Sequence, residues 1–307
     1  MPWSPFANRR SVDVQRESLD PDQLGLLVVT LALKFPEWMQ RRVERVTYLD
    51  DRTARISEGV MLRWPEPGFF PDGARPRPAE KIYVPLDLLT KGPLIGLDGM
   101  SPDGSPFPIL PYAETTKLSS AGLTSLIWGL KRQRGGGQLT HDALRLIDAA
   151  VRAPPPIARS LLAVLDDENT ELGGLLRDRH PLAGLLRELG ANLMLLASST
   201  YDPGAEVVYR YSYSRTLPWP RRRLRAALGF KDLQCEIDGL SIGWSASYHL
   251  EIDAPPEVTL SRARLYGRYA GRVDWVLVAE DGGKPGVDLH ARRPIAELMR
   301  QGHASWP

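Results

Sequence analysis

"EVVYRYSYS", residues 206–214, alternates between polar residues and apolar or aromatic ones. Successive side chains of a β-strand lie on opposite faces, so one face of this strand carries Val207, Tyr209, Tyr211 and Tyr213. One apolar and one wet face is typical of an antiparallel sheet. The stretch therefore predicts an antiparallel β unit. Further strands are predicted at "SASYHLEID" (245–253), "EVTLSRARLY" (257–266) and "VDWVLVAE" (273–280).

A second β region precedes it near the N-terminus. In "ARISEGVMLRW" (54–64), alternate residues form an apolar face that is broken only by Glu58. The preceding "DDRT" (50–53) indicates the turn of a hairpin. Further upstream, Asp20 before Pro21 is typical of a helix start. The apolar run that follows at 24–33 indicates a buried helix, with a central strand as the alternative.

The segment 115–190 has the periodicity of amphipathic helices. Apolar residues recur at spacings of three and four: Leu123, Leu126, Ile127 and Leu130, and again Leu182, Leu185, Leu186 and Leu189. The order β, α, β predicts an α+β fold. It would consist of an N-terminal β-rich unit with one leading helix (1–114), a helical block (115–190) and a C-terminal antiparallel β unit (191–307). The two β segments either stand apart or complete one sandwich across the inserted helices.

The composition is that of an ordinary globular protein with a formal net charge of +2. A balance so close to neutral does not indicate nucleic acid or an acidic membrane as partner. The single cysteine, Cys235, excludes an intramolecular disulfide. The first residues lack the pattern of a secretory signal, and the apolar run at 24–33 is about half the length of a membrane span. These features predict a soluble, cytoplasmic protein.

Short motifs of cofactor and metal enzymes do not occur in the sequence. The phosphate-binding loop, the dinucleotide fingerprint, HExxH and CxxC are all missing. "RGGGQLTHD" (134–142) is rich in glycine but lacks the lysine of a phosphate loop, so it indicates a flexible linker between helices. We therefore expect no cofactor and no metal site.

His249, Glu251 and Asp253 are the strongest candidates for catalysis. On a strand they share one face, with alternate residues roughly 7 Å apart. Together with a further ligand from a neighbouring strand, such a set would hold a metal ion or move a proton. The alternative is the solvated outer face of an antiparallel sheet, which the usual organisation of such sheets favours.

"LPWPRRRLRAALGF" (217–230) has the most unusual local composition. Pro220 would begin a short helix, with Trp219 before it and four arginines in its first turns: Arg221, Arg222, Arg223 and Arg225. Cations at a helix N-terminus oppose the helix dipole, so their placement indicates contact with an anionic surface or with acidic residues. The alternative is an ordinary solvated basic turn.

Two segments resemble a family of uncharacterised bacterial proteins, chiefly of the actinobacterial type. "YVPLDLLTKGPLIGLDGMSPDGSPFPILPYAETTKLSSAGL" (83–123) is similar to a "VPL..L.K" element followed by a hairpin and a helix, and "SYHLEIDAPP" (247–256) to an "SYH.E..AP" element. The resemblance implies a family of unknown function, some members of which carry hydrophobic helices after the C-terminal β unit. Because this sequence ends at "ELMRQGHASWP" (297–307), we expect no such anchor here.

The leading functional hypothesis is a non-catalytic interaction or regulatory module that binds a protein partner or a membrane surface. Its binding site would consist of Trp219 and the four arginines that follow it. The rival hypothesis is a metal-dependent or hydrolytic enzyme built on His249, Glu251 and Asp253. Neither hypothesis involves specific binding of nucleic acid.

Overall fold

The computed structural model describes residues 19–50, 53–92, 95–177, 180–216 and 245–253, together with the backbone of strands 263–269, 272–279 and 286–292. The fold is α+β, as the sequence predicts. The α-helices are α1 (Pro21–Leu33), α2 (Phe35–Trp38), α3 (Tyr112–Gln133), α4 (His141–Arg152), α5 (Pro155–Leu162), α6 (Glu171–Leu175) and α7 (Pro181–Ala191). The strands are β1 (Met39–Tyr48), β2 (Thr53–Arg63), β3 (Lys81–Thr90), β4 (Ile95–Met100), β5 (Asn192–Thr200), β6 (Glu206–Thr216), β7 (Ser247–Asp253), β8 (Ala263–Tyr269), β9 (Arg272–Ala279) and β10 (Gly286–Arg292).

Six strands form one mixed sheet in the order β10-β7-β1-β2-β6-β4. Neighbouring strands are antiparallel except β1 and β7, which pair in parallel. β1, β2 and β4 precede the helical block, whereas β6, β7 and β10 follow it. The N-terminal and C-terminal β segments therefore contribute to one mixed sheet, whereas the sequence predicted antiparallel units that either stand apart or complete a sandwich.

β3 and β5 form a second layer against this sheet. They pair in antiparallel orientation, and the Tyr209 hydroxyl of β6 donates a hydrogen bond to Ser199 Oγ of β5. α1 packs against β3, and α3 packs against β5. Because β3 is buried almost continuously from Ile82 to Leu89, both of its faces are covered. We call the face of the six-stranded sheet toward β3 and β5 the inner face, and the opposite face the outer face.

The apolar strand faces predicted from the sequence form the inner face. On β2 and just beyond it the buried residues are Ala54, Ile56, Val60, Leu62 and Trp64, and on β6 they are Tyr209, Tyr211 and Tyr213. The predicted start of α1 is also confirmed, because the Asp20 carboxylate accepts a hydrogen bond from the Gln23 amide at 2.8 Å. The Gln23 side chain accepts one from the Asp20 amide in return, which completes a capping box.

Lys91, just past the end of β3, fastens the helical block to the sheet layers. Its Nζ donates hydrogen bonds to three backbone carbonyl oxygens, those of Val151 (2.6 Å), Ala153 (3.0 Å) and Gly190 (3.1 Å). These carbonyls lie at the C-terminal ends of α4 and α7, where a cation also interacts favourably with the helix dipole.

Gly25 of α1 and Gly122 of α3 let these two helices touch through their backbones. A Cβ added at Gly122 would lie 2.1 Å from the carbonyl oxygen of Gly25, and one added at Gly25 would lie 2.6 Å from the carbonyl oxygen of Leu118. Both separations are shorter than van der Waals contact, so any larger residue forces the helices apart.

Gly122→Ala is therefore expected to lower the free energy of unfolding by about 1–3 kcal/mol, the usual cost of overpacking. Gly129→Ala is the matched control on the same helix, because a Cβ added there meets nothing within 4 Å. The control is expected to raise the free energy of unfolding by about 0.5–1 kcal/mol, since alanine favours the helix over glycine. Urea denaturation followed by circular dichroism measures both, and equal effects would contradict the close contact.

Candidate functional site

The structure brings the predicted catalytic candidates together on the outer face of β7. His249 Nε2 lies 3.0 Å from Glu251 Oε1. Arg45 of the neighbouring strand β1 donates to Glu251 Oε2, with its Nη2 at 2.5 Å and its Nε at 2.6 Å. The same Nε lies 3.5 Å from Asp253 Oδ2. The three candidates and Arg45 thus form one cluster of hydrogen bonds and ion pairs on the outer face. Arg45 could not be predicted from the sequence, because the parallel pairing of β1 with β7 is a tertiary contact.

Arg45 and Glu251 form an ion pair at the centre of this cluster. Partial burial raises the pKa of Glu251, but hydrogen bonds from Arg45 and His249 outweigh it and lower the pKa overall. A carboxylate with a lowered pKa is a weak proton acceptor near neutral pH. Within the described ranges, no group of three His, Cys, Asp or Glu side chains is arranged to hold a metal ion. The enzyme hypothesis stays a prediction.

The predicted basic binding site lies outside the described residues. It consists of Trp219, Arg221, Arg222, Arg223 and Arg225, which all fall in 217–244. Its role in binding stays a prediction.

The inner face holds a cluster of charged residues that the sequence did not predict. At its centre is Arg42 of β1, which is fully buried. Arg42 Nη1 forms a salt bridge with Glu58 Oε2 and lies 3.3 Å from Asp87 Oδ1, while Nη2 donates to the carbonyl oxygen of Leu86. The Tyr211 hydroxyl donates to Asp87 Oδ2 at 2.8 Å and accepts from Arg42 Nη1 at 3.2 Å.

Glu44 extends this cluster toward β7. The Tyr248 hydroxyl donates a hydrogen bond to Glu44 Oε2 at 2.6 Å, and both side chains are buried. We call the whole set the buried charge network: Arg42, Glu44, Glu58, Asp87, Tyr211 and Tyr248. Because its members come from β1, β2, β3, β6 and β7, the network ties together strands from both sides of the helical block and from both sheet layers.

The network contains three carboxyl groups and one guanidinium, so full ionisation would bury an excess of negative charge. Burial disfavours the charged form of a carboxyl group. It raises the pKa of Glu44 to about 7, although the hydrogen bond from Tyr248 opposes the shift. Burial and the nearby charge of Asp87 also raise the pKa of Glu58 well above its ordinary value. Burial therefore favours the protonated form of Glu44 and Glu58, which reduces the excess of negative charge in the network.

Arg42 remains the cation of the network. Burial by itself lowers the pKa of Arg42, but Tyr211, Glu58 and Asp87 together raise it well above its ordinary value. In the described part of the chain, its Nε is a buried nitrogen without a hydrogen-bond partner. The guanidinium is thus held by its two terminal nitrogens.

One signal in the sequence could have revealed this network. Glu58 stands alone in the apolar face of β2, and a charged residue is almost never fully buried unless it is paired. A carboxylate at a core position therefore predicts a buried cation, and Arg42 lies at an inner-face position of the adjoining strand.

The outer face of three neighbouring strands, β1, β2 and β6, is basic. The outward positions of β1, β2 and β6 carry one carboxylate, Glu206, and five arginines: Arg41, Arg45, Arg55, Arg63 and Arg210. We call this surface, the outward residues of these three strands, the basic sheet face. At its centre a Cβ added at Gly59 would meet nothing within 4 Å, Met61 is half-buried, and Val208 is 38% exposed.

The chain matches no model of a known protein family, and no curated protein is similar to it. The resemblance to uncharacterised bacterial proteins stays a prediction. Among the helices of the described residues, none combines the length and the apolar character needed to cross a membrane.

Proposed function

We propose that the chain is a non-catalytic binding module, and that another protein docks on its basic sheet face. The supporting observation is the contrast between the two faces of one sheet. Side chains of the inner face are packed into the core, and even its charged groups are paired there. On the basic sheet face, Arg41, Arg63 and Arg210 are exposed and form no ion pair with a described residue.

The composition of this surface suits a protein interface. Interfaces combine a partly apolar centre with a polar rim, and arginine is enriched among the residues that dominate their binding energy. Here Met61 and Val208 are opposite each other in neighbouring strands, and arginines lie around them. Because Gly59 has no side chain, the surface is recessed between Val43 and Arg210, its partners in the strands on either side. A partner can therefore contact apolar and guanidinium groups together.

Photo-crosslinking tests the proposal. The photoreactive residue p-benzoylphenylalanine replaces Gly59 at the centre of the basic sheet face and, as matched control, Gly129 on α3. A Cβ added at either position meets nothing within 4 Å. We expect irradiation of native cells to join a defined protein to the chain from position 59, and none from position 129.

The captured protein is then identified, purified and titrated against the wild-type chain and Val208→Glu. Because this change places a charge in the apolar centre of the surface, we expect about tenfold weaker binding. Crosslinking at both positions alike, or at neither, contradicts the proposal. So does equal affinity for the wild-type chain and the variant.

A further inference from the structure

We infer that the protein bound by the basic sheet face presents an acidic patch, an inference that rests on the function proposed above. The arginines of this face are spread over three strands. Arg41 is opposite Met61, and Arg210 is opposite Gly59. Strand spacing and rise then place the Cα atoms of Arg41 and Arg210 roughly 12 Å apart. Long arginine side chains at this separation can contact two carboxylates of one partner surface.

The arginines of this face that form no ion pair with a described residue lie away from the carboxylates of β7. Arg45 is occupied by Glu251 and Asp253 at that margin, where the two carboxylates would repel an acidic partner. Glu206, the first residue of β6, accepts a hydrogen bond from Gln40 Nε2 at 3.3 Å. It is opposite Arg63 in the pairing of β6 with β2, but no ion pair joins these two residues. The attractive region therefore lies over β2, β6 and the first half of β1.

An acidic protein fits this surface better than a lipid headgroup or a nucleic acid does. Proteins that bind at a membrane surface insert aromatic residues beside their basic ones, and proteins that bind single-stranded nucleic acid stack bases on aromatic side chains. The outward positions of β1, β2 and β6 carry arginine, serine, threonine, valine, methionine, glycine, one glutamine and one glutamate, with no aromatic residue among them. Arginine binds carboxylates and phosphates alike in a bidentate geometry, so it is the absence of aromatic residues from these positions that favours the acidic protein.

Two triple variants with the same loss of charge test the inference. Arg41→Ser/Arg63→Ser/Arg210→Ser removes the exposed arginines of the basic sheet face, and Arg132→Ser/Arg145→Ser/Arg159→Ser removes exposed arginines of the helical block. The probe is fluorescein-labelled decaglutamate, followed by fluorescence anisotropy at low salt. We expect the sheet-face variant to bind it about tenfold more weakly and the helical-block variant less than about twofold more weakly.

Phosphatidylserine vesicles and oligothymidylate are the competing probes, measured with the same three proteins. Tighter binding of either one than of decaglutamate, lost in the sheet-face variant, overturns the acidic protein in favour of that ligand. Equal weakening of decaglutamate binding in both triple variants also overturns the inference, because attraction would then follow total charge. If either of these results is obtained while position 59 still crosslinks to a protein, the acidic patch is rejected and the proposed function stands. If position 59 does not crosslink, the proposed function itself is rejected.

Discussion

Replacing Arg42 with methionine is expected to lower the free energy of unfolding by about 3–5 kcal/mol, the usual cost of removing one partner from a buried ion pair. Methionine fills an irregular core space well, so the loss is chiefly electrostatic. Without the guanidinium, Glu58 and Asp87 stay buried but lose the cation that they share. Because burial and the charge of Asp87 raise the pKa of Glu58, its protonation relieves the repulsion at lower pH, and the loss is expected to be larger at about pH 8 than at about pH 5.

Arg45→Met is the matched control for this experiment. Arg45 lies on the same strand, but its side chain is 55% exposed, and an exposed ion pair contributes less than about 1 kcal/mol. Adding Glu58→Gln and Asp87→Asn to Arg42→Met removes the orphaned charges and is expected to restore more than half of the lost stability. Urea denaturation at the two pH values measures all four proteins. An Arg42→Met loss no larger than that of Arg45→Met would show that Arg42 does not hold the network.

The strand faces were predicted correctly from the sequence because the alternation of side chains along a strand is a local property of the backbone. Alternation in 54–64 and in 206–214 is fixed by the backbone, and burial selects the apolar side. The same rule placed His249, Glu251 and Asp253 on one face correctly. The capping signal at Asp20 and Pro21 is local too, and α1 begins at Pro21 as predicted.

What the sequence did not predict depends on which strands become neighbours. Arg45 meets Glu251 only because β1 pairs with β7, more than 200 residues later in the chain. Asp87 joins Arg42 only because β3 packs on the inner face of the other sheet. The basic sheet face likewise exists only once β1, β2 and β6 are adjacent. Spacing along one strand does not show which strands become neighbours. The partners of Arg45, the partners of Arg42 and the basic sheet face could therefore be identified only from the structure.

Glu44→Gln is expected to make the protein more stable than the wild type by about 3 kcal/mol at about pH 8, and equally stable near pH 4.5. Burial raises the pKa of Glu44 from 4.5 to about 7 in the folded chain. Between these values the folded state binds more protons than the unfolded state, so stability falls as the pH rises through this window. Glutamine resembles the protonated acid and can keep the contact with Tyr248, so the variant lacks this loss.

Glu168→Gln supplies the control, because Glu168 is an exposed loop carboxylate and a substitution at such a surface position is expected to change stability by less than about 0.5 kcal/mol. Urea denaturation of the wild type and both variants in steps from about pH 4.5 to about pH 8 measures the difference between the profiles. A difference between Glu44→Gln and the wild type that stays constant across this range would mean that folding does not shift the pKa of Glu44. If the stability difference grows with pH, the folded chain holds a proton at Glu44. Because Tyr248 of β7 contacts β1 at this residue, the junction of the two β segments is then most stable on the acid side of neutrality.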